Sequence, residues 1–138
     1  MKVNQSHTVS SALVAESERL NFLPKYFSIP LMIRGEKLVY KWLRNLSKDY
    51  KGGYWNFYEI SNGGFYIAPI QEGQLLLSCE NGFEDHLTAN AAGIVATLYS
   101  LGQLANESKN DNIIDMYHRL LEYLDGHPEG NKIYQAID

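Results

Sequence analysis

The residues with the chemical means to act on a substrate are few and scattered. Cys79 is the single cysteine, and His86 follows seven positions later, a spacing that invites a nucleophile–base pairing. The plainer account is a small strand residue beside an unrelated loop histidine, because free cysteine usually packs as an apolar group. Glu84, Asp85 and His86 offer metal-ligand side chains in a row, but acids at a helix entrance also favour the positive end of the helix dipole. Glu59 lies in an aromatic run, where a carboxyl can be shifted toward an acid's role. A cross-strand bond to the Tyr66 hydroxyl accounts for it more simply. His7, His86, His118 and His127 form no HExxH pair, no glycine is followed by Lys-Ser or Lys-Thr, and no GxGxxG opens a helix after a strand. No two carboxylates are placed for acid–base work. The expectation is therefore no catalytic residue, no cofactor and no metal.

The other chemistry on offer is stacking. Residues 52–69 read GGYWNFYEISNGGFYIAP, two glycine pairs bracketing Tyr54, Trp55, Phe57, Tyr58, Phe65 and Tyr66. Aromatic side chains on a sheet can stack on bases. Yet GGFYIAP lacks the Lys/Arg start and the later Phe/Tyr of an RRM signature. A short basic stripe, Lys37, Lys41, Arg44 and Lys48, supports the alternative of a nucleic-acid-binding accessory module. Net charge argues against it. The chain carries −4, with residues 1–70 at +4 and residues 71–138 at −8. Two solvated surfaces explain that split; an acidic face for a basic partner is the sharper reading. A DNA mimic is disfavoured, since duplex DNA offers about one charge per 1.7 Å of axis and twelve bases offset the sixteen acids here. The aromatics read as core rather than as a platform.

Several elements must position these residues. The polar, aperiodic residues 1–16 read as a flexible N-terminal arm, and 17–138 as a single domain. In SERLNFLPKYFSIPLMIR, Pro24 and Pro30 interrupt any long helix, leaving a connector that packs through Leu20, Phe22, Leu23, Phe27 and Leu31. A helix is expected over about 36–49, ended by Gly52–Gly53. Asn62–Gly63 is a strong hairpin signal. A two-residue loop there pairs Ile60 with Phe65, Glu59 with Tyr66, Tyr58 with Ile67, Phe57 with Ala68, Asn56 with Pro69 and Trp55 with Ile70. QLLLSC, 74–79, reads as a third strand. Thr88 is an N-cap for a helix to about Asn106, with Leu87, Ala91, Ile94, Val95, Leu98, Leu101 and Ala105 inward and Gly93 allowing close packing on the sheet. Asp111 is the expected cap of the last long helix, with Ile113, Ile114, Tyr117, Leu120, Leu121 and Leu124 inward, and a final turn follows. The fold class is α+β: one compact domain, a small antiparallel sheet of about three strands in a meander, and three to four helices.

Length and composition agree. The 138 residues, 45% hydrophobic and 20% charged, suit one soluble domain with its own core. No apolar run reaches the roughly 18–20 residues of a membrane span, and no signal-peptide h-region opens the chain. A lone cysteine excludes an internal disulfide. These features point to a cytoplasmic protein.

The motif carries a further signal. GGYWNFYEISNGGFYIAP resembles the signature of the ArdB/KlcA antirestriction proteins, and RLNFLPKYF at 19–27, EKLVY at 36–40, ANAAGIVATLYSL at 89–101 and HPEGNKIYQAID at 127–138 match as well. The resemblance spans roughly residues 17–138, with length and sequence nearer ArdB than KlcA. Gly52, Gly53, Tyr54, Trp55, Tyr58, Ser61, Asn62, Gly63, Gly64, Phe65, Tyr66 and Pro69 carry it, mainly as structural residues. The resemblance implies a plasmid- or island-borne protein that evades host defence by relieving type I restriction-modification endonucleases while sparing methylation. It implies a non-enzymatic inhibitor that is not a DNA mimic, with a compact α/β fold of its own type. The implied partner is the type I complex or an accessory host factor; direct DNA binding and a membrane are not implied, and a homodimer is compatible. The candidate partner contacts are the polar residues near the signature and the C-terminus: Asn56, Glu59, Asn62, His127, Glu129 and Asp138.

Overall fold

Turn and cap residues divide the chain into short elements that only tertiary contacts can stabilise. A computed structural model describes residues 9–138; His7 and the first half of the expected arm lie outside the described residues. The order is β1 (Ser11–Leu13), α1 (Arg19–Phe27), α2 (Met32–Leu46), β2 (Trp55–Ile60), β3 (Phe65–Pro69), β4 (Gln74–Ser78), β5 (Glu84–Thr88), α3 (Ala89–Ser108), α4 (Asp111–Tyr123) and α5 (Gly130–Ile137). The chain is α+β, as expected. The antiparallel strands form a three-stranded sheet, β1-β2-β3, and a separate two-stranded sheet, β4-β5.

The third strand is thus not the expected one. QLLLS does form a strand, but it pairs with Glu84–Thr88, a segment read in the sequence as a helix entrance. The third place beside the hairpin goes to Ser11–Leu13, so the arm is not loose over those residues. The Val14 N–H donates to the Phe57 carbonyl at 2.8 Å, and the Val14 side chain is buried.

The hairpin register also differs from expectation, by one residue. Trp55 opposes Pro69, Asn56 Ala68, Phe57 Ile67, Tyr58 Tyr66 and Glu59 Phe65. The loop holds three residues, Ser61, Asn62 and Gly63, closed by Gly63 N–H to Ile60 O (2.9 Å) and Ile60 N–H to Gly64 O (2.9 Å). A two-residue type I′ loop needs positive φ at both central residues. Only Gly63 has it here (φ 91°); Asn62 does not. Asn62 is held instead by α4: its Nδ2 donates to Arg119 O (2.9 Å) and Glu122 Oε1 (2.7 Å), while its Oδ1 accepts from Gly64 N–H (3.0 Å).

The free edge of β3 is covered by α3. Unpaired strand edges invite association unless something covers them. The Thr97 hydroxyl, fully buried, lies 3.3 Å from both the N–H and the carbonyl oxygen of Ile67. Pro69, which has no N–H to give, suits such an edge. This approach requires Gly93: a methyl group there would stand 2.5 Å from Ile67 O and nearer still to Ala68. α3 is buried nearly all round, through Ala91, Ile94, Val95, Leu98, Leu101 and Leu104, which marks a core helix. Thr88 caps it, its hydroxyl accepting from Ala91 N–H at 3.2 Å. Ala105, expected inward, is only half-buried.

Several helical details depart from the sequence reading. Residues 19–27 form a helix that contains Pro24, which has no N–H to give the carbonyl four residues back, that of Leu20. Leu20 itself, expected to pack inward, is 91% exposed; Phe22 and Phe27 fill the core as expected, and Tyr26 joins them. α4 is capped by Asn110, not Asp111, through Asn110 Oδ1 and Ile113 N–H (3.1 Å), and Met116 is buried where Ile114 was expected. The final turn is a full helix, α5, anchored by Ile133 and Ala136.

Candidate functional site

The signature residues converge on one hairpin, and most are occupied by holding it. Trp55 is buried between Tyr40 and Tyr50, and its Nε1 donates to Tyr50 Oη at 2.9 Å. Phe65 packs against Phe22, Tyr26 and Phe27. Tyr58 and Tyr66 stack at 4.6 Å, as their direct pairing allows. Ser61 exchanges bonds with Ser10: its N–H donates to Ser10 O at 2.8 Å, and its Oγ accepts from Ser10 N–H at 3.0 Å. Gly63 and Gly64 lie against Arg119 of α4, where side chains would collide.

Tyr54 is the exception. Its side chain is 84% exposed, contrary to the expectation that the signature aromatics are core. Ile70, beside it through a 2.9 Å bond from its N–H to Tyr54 O, is 54% exposed. Gly52 and Gly53 precede Tyr54 at φ 80° and 96°, with open space around both. Two exposed apolar side chains therefore stand together at the end of the hairpin opposite its turn. Sequence reasoning missed this pair. The only sequence signal was the glycine pair next to Tyr54, whose backbone conformation turns the chain away from the core.

The six candidate contacts are spread over four places. Asn56 and Glu59 lie on β2 against α1. Asn56 Oδ1 accepts from Arg19 Nη2 at 3.3 Å. Glu59 accepts from Tyr26 Oη at 2.6 Å and from Lys25 Nζ at 3.2 Å. The tyrosine hydroxyl, with Lys25 behind it, holds the Glu59 carboxyl below the usual range. Its partner is therefore Tyr26, not Tyr66 as expected. Asn62 is at the turn, engaged with α4 as described. Asp138 is exposed at the chain end, its carbonyl accepting from Asn81 Nδ2 at 3.1 Å.

His127 and Glu129 come together in a polar chain before α5. His127 Nδ1 accepts from Glu129 N–H at 2.9 Å, so Nε2 carries the proton and donates to Asn90 Oδ1 at 2.9 Å. Asn90 Nδ2 donates in turn to Tyr66 Oη at 3.0 Å. The Glu129 carboxylate accepts from Thr88 N–H at 3.0 Å and from the Thr88 hydroxyl, tying α5 to the cap of α3. Burial keeps the His127 pKa below its ordinary value, and burial pushes the Tyr66 phenol up. Both ring nitrogens and the phenol are engaged within the fold.

The nucleophile and metal constellations considered in the sequence do not assemble. His86 opposes Leu76, three residues along β4 from Cys79, or about 10 Å at strand rise. Cys79 is buried beside Tyr99, and burial pushes its thiol up. Asp85 pairs with Lys132 at 3.3 Å. Among the described residues no group of His, Cys, Asp or Glu could hold a metal ion, and no helix is long and apolar enough to cross a membrane.

Comparison with known proteins agrees with this hairpin-centred fold. A family model described as antirestriction protein matches residues 48–138. The chain belongs to the antirestriction protein family. Antirestriction protein KlcA of Escherichia coli is 52% identical over 97% of this chain and 98% of its own length. A second KlcA from Escherichia coli is 49% identical, covering 91% of this chain and 90% of its own. A solved structure at 52% identity superposes with a TM-score of 0.88, covering 94% of this chain and 95% of that one. It is described as showing that the KlcA and ArdB proteins have a novel fold and antirestriction activity against type I DNA restriction systems in vivo but not in vitro. In this family member the signature builds the β2–β3 hairpin and leaves Tyr54 and Ile70 outside it.

Proposed function

We propose that this chain relieves type I restriction in the cell, sparing methylation, as a non-enzymatic inhibitor that works by protein contact and not by imitating DNA. Tyr54, with the half-exposed Ile70 beside it, carries the reading: it is the signature aromatic left outside the core. Exposed aromatic anchors of this kind are favoured at protein interfaces. The saturated bonding of His127, Glu59 and Tyr66 and the raised thiol pKa of Cys79 favour contact over catalysis. The acids are interrupted by cations, with Glu107 held by Arg34 at 2.7 Å and Asp85 by Lys132, which disfavours a phosphate-like array. Activity of the related proteins in vivo but not in vitro suits a partner supplied by the cell, either the complex in its working state or an accessory factor.

Plating efficiency of unmodified phage on a type I restricting host, with host methylation followed alongside, tests the proposal. The protein should raise plating, and Cys79→Ala with Glu59→Gln should leave that effect intact. Tyr54→Ala, which removes few contacts, should fold normally and lose most of it. Unchanged restriction at good expression would sink the role. Full activity of Tyr54→Ala would sink the contact reading alone.

A further inference from the structure

The solvent face of α2 carries a row of cations without partners. Lys37, Lys41, Arg44 and, just beyond the helix, Lys48 are exposed, and the three ion pairs among the described residues involve none of them. The spacing of four and three residues keeps Lys37, Lys41 and Arg44 on one ridge, about 10 Å long at helical rise, and Lys48 follows past its end. At the head of the ridge two isoleucines, Ile29 and Ile33, are exposed as well. A cation row with an apolar end has a definite complement.

We propose that this ridge docks an acidic segment of another protein, with three or four carboxylates at helical spacing and an apolar side chain that settles on Ile29 and Ile33. Charge complementarity supplies the attraction and orients the segment. The boundaries of the ridge favour a short acidic segment over a nucleic acid. Arg34 is already taken by Glu107 at one end. At the other, Lys48 shares a depression with Asp49 and Glu84. A duplex, with about one charge per 1.7 Å of axis, would run past the row onto these carboxylates. Tyr40, the aromatic residue beside the row, has its ring on Trp55 and its hydroxyl on Glu36 (2.6 Å), so it offers no free platform for a base. The proposal involves neither Tyr54 nor Ile70 and stands apart from the contact proposed there.

Fluorescence anisotropy of the whole chain with three labelled probes tests it: a short peptide bearing glutamates at helical spacing and leucines at one end, a single-stranded oligonucleotide and a duplex. The peptide should bind, with affinity falling as salt rises. Replacing Lys37, Lys41 and Arg44 together by Glu should raise its Kd at least about tenfold, replacing them by Gln should raise it less, and Ile33→Ser should weaken it without changing the salt dependence. All three positions are exposed, so circular dichroism should be unchanged. Absence of peptide binding, indifference to the charge replacements, or tighter binding of either oligonucleotide at the same salt would overturn the proposal.

Discussion

Gly93→Ala should destabilise the protein although alanine is the better helix former. In a free helix the change gains about 1 kcal/mol. Here the new methyl would stand 2.5 Å from Ile67 O, where carbon–heavy-atom contacts normally rest near 3.5 Å. α3 must withdraw by about 1 Å, and overpacking of this kind costs roughly 1–3 kcal/mol. Withdrawal also stretches the Thr97 contacts with Ile67, already at 3.3 Å, to breaking. Leaving a buried backbone group unsatisfied costs about 1–3 kcal/mol more. Set against the propensity gain, the net loss is about 1–5 kcal/mol. Gly102→Ala on the same helix is the control, because its methyl would meet only Tyr117 Cε1 at 3.7 Å, an ordinary contact. It should gain up to about 1 kcal/mol. Urea unfolding reads both: the midpoint should fall for Gly93→Ala and rise for Gly102→Ala at constant m. In the plating assay Gly93→Ala should act through reduced protein level. If Gly93→Ala matches or exceeds the parent in stability, the close approach of α3 to the β3 edge is wrong.

Two further outcomes are specific. Asn62→Ala should cost about 1–2 kcal/mol by urea unfolding, since two bonds joining the turn to α4 and one within the turn are lost with partial replacement by water; an unchanged midpoint would mean the turn is held by Gly63 alone. His127 has a folded pKa below its ordinary 6.5 because it is buried. The unfolded chain therefore takes up its proton first, and the stability His127 contributes is full above pH 6.5 and lost as pH falls from there through the lowered value. His127→Gln should flatten the stability profile in that acidic window, and an equally steep profile in the variant would assign the slope to other groups.

Much of the fold is written locally. Asn62–Gly63 announces a hairpin, Thr88 a helix start, and the alternation of helical and strand patterns an α+β domain, because φ preferences and side-chain caps act within a few residues. The glycine–aromatic signature likewise marks the family without any coordinates. Register escapes this reading. Whether Asn62 enters a two- or three-residue loop depends on Arg119 and Glu122, 57 and 60 residues away. The third strand escapes it too: Ser-Ala-Leu carries almost no pattern, and the Phe57 carbonyl is what recruits it. The candidate site shows the same division. The sequence places Tyr54 in a run whose neighbours Trp55, Phe65 and Tyr66 are all core, so hydrophobicity alone assigns it inward. Its exposure follows from the backbone path through Gly52–Gly53 and from which face the packed helices cover. Types and periods determine the elements, since those are near-neighbour physics; partners, register and exposure are settled by contacts between residues far apart in the chain.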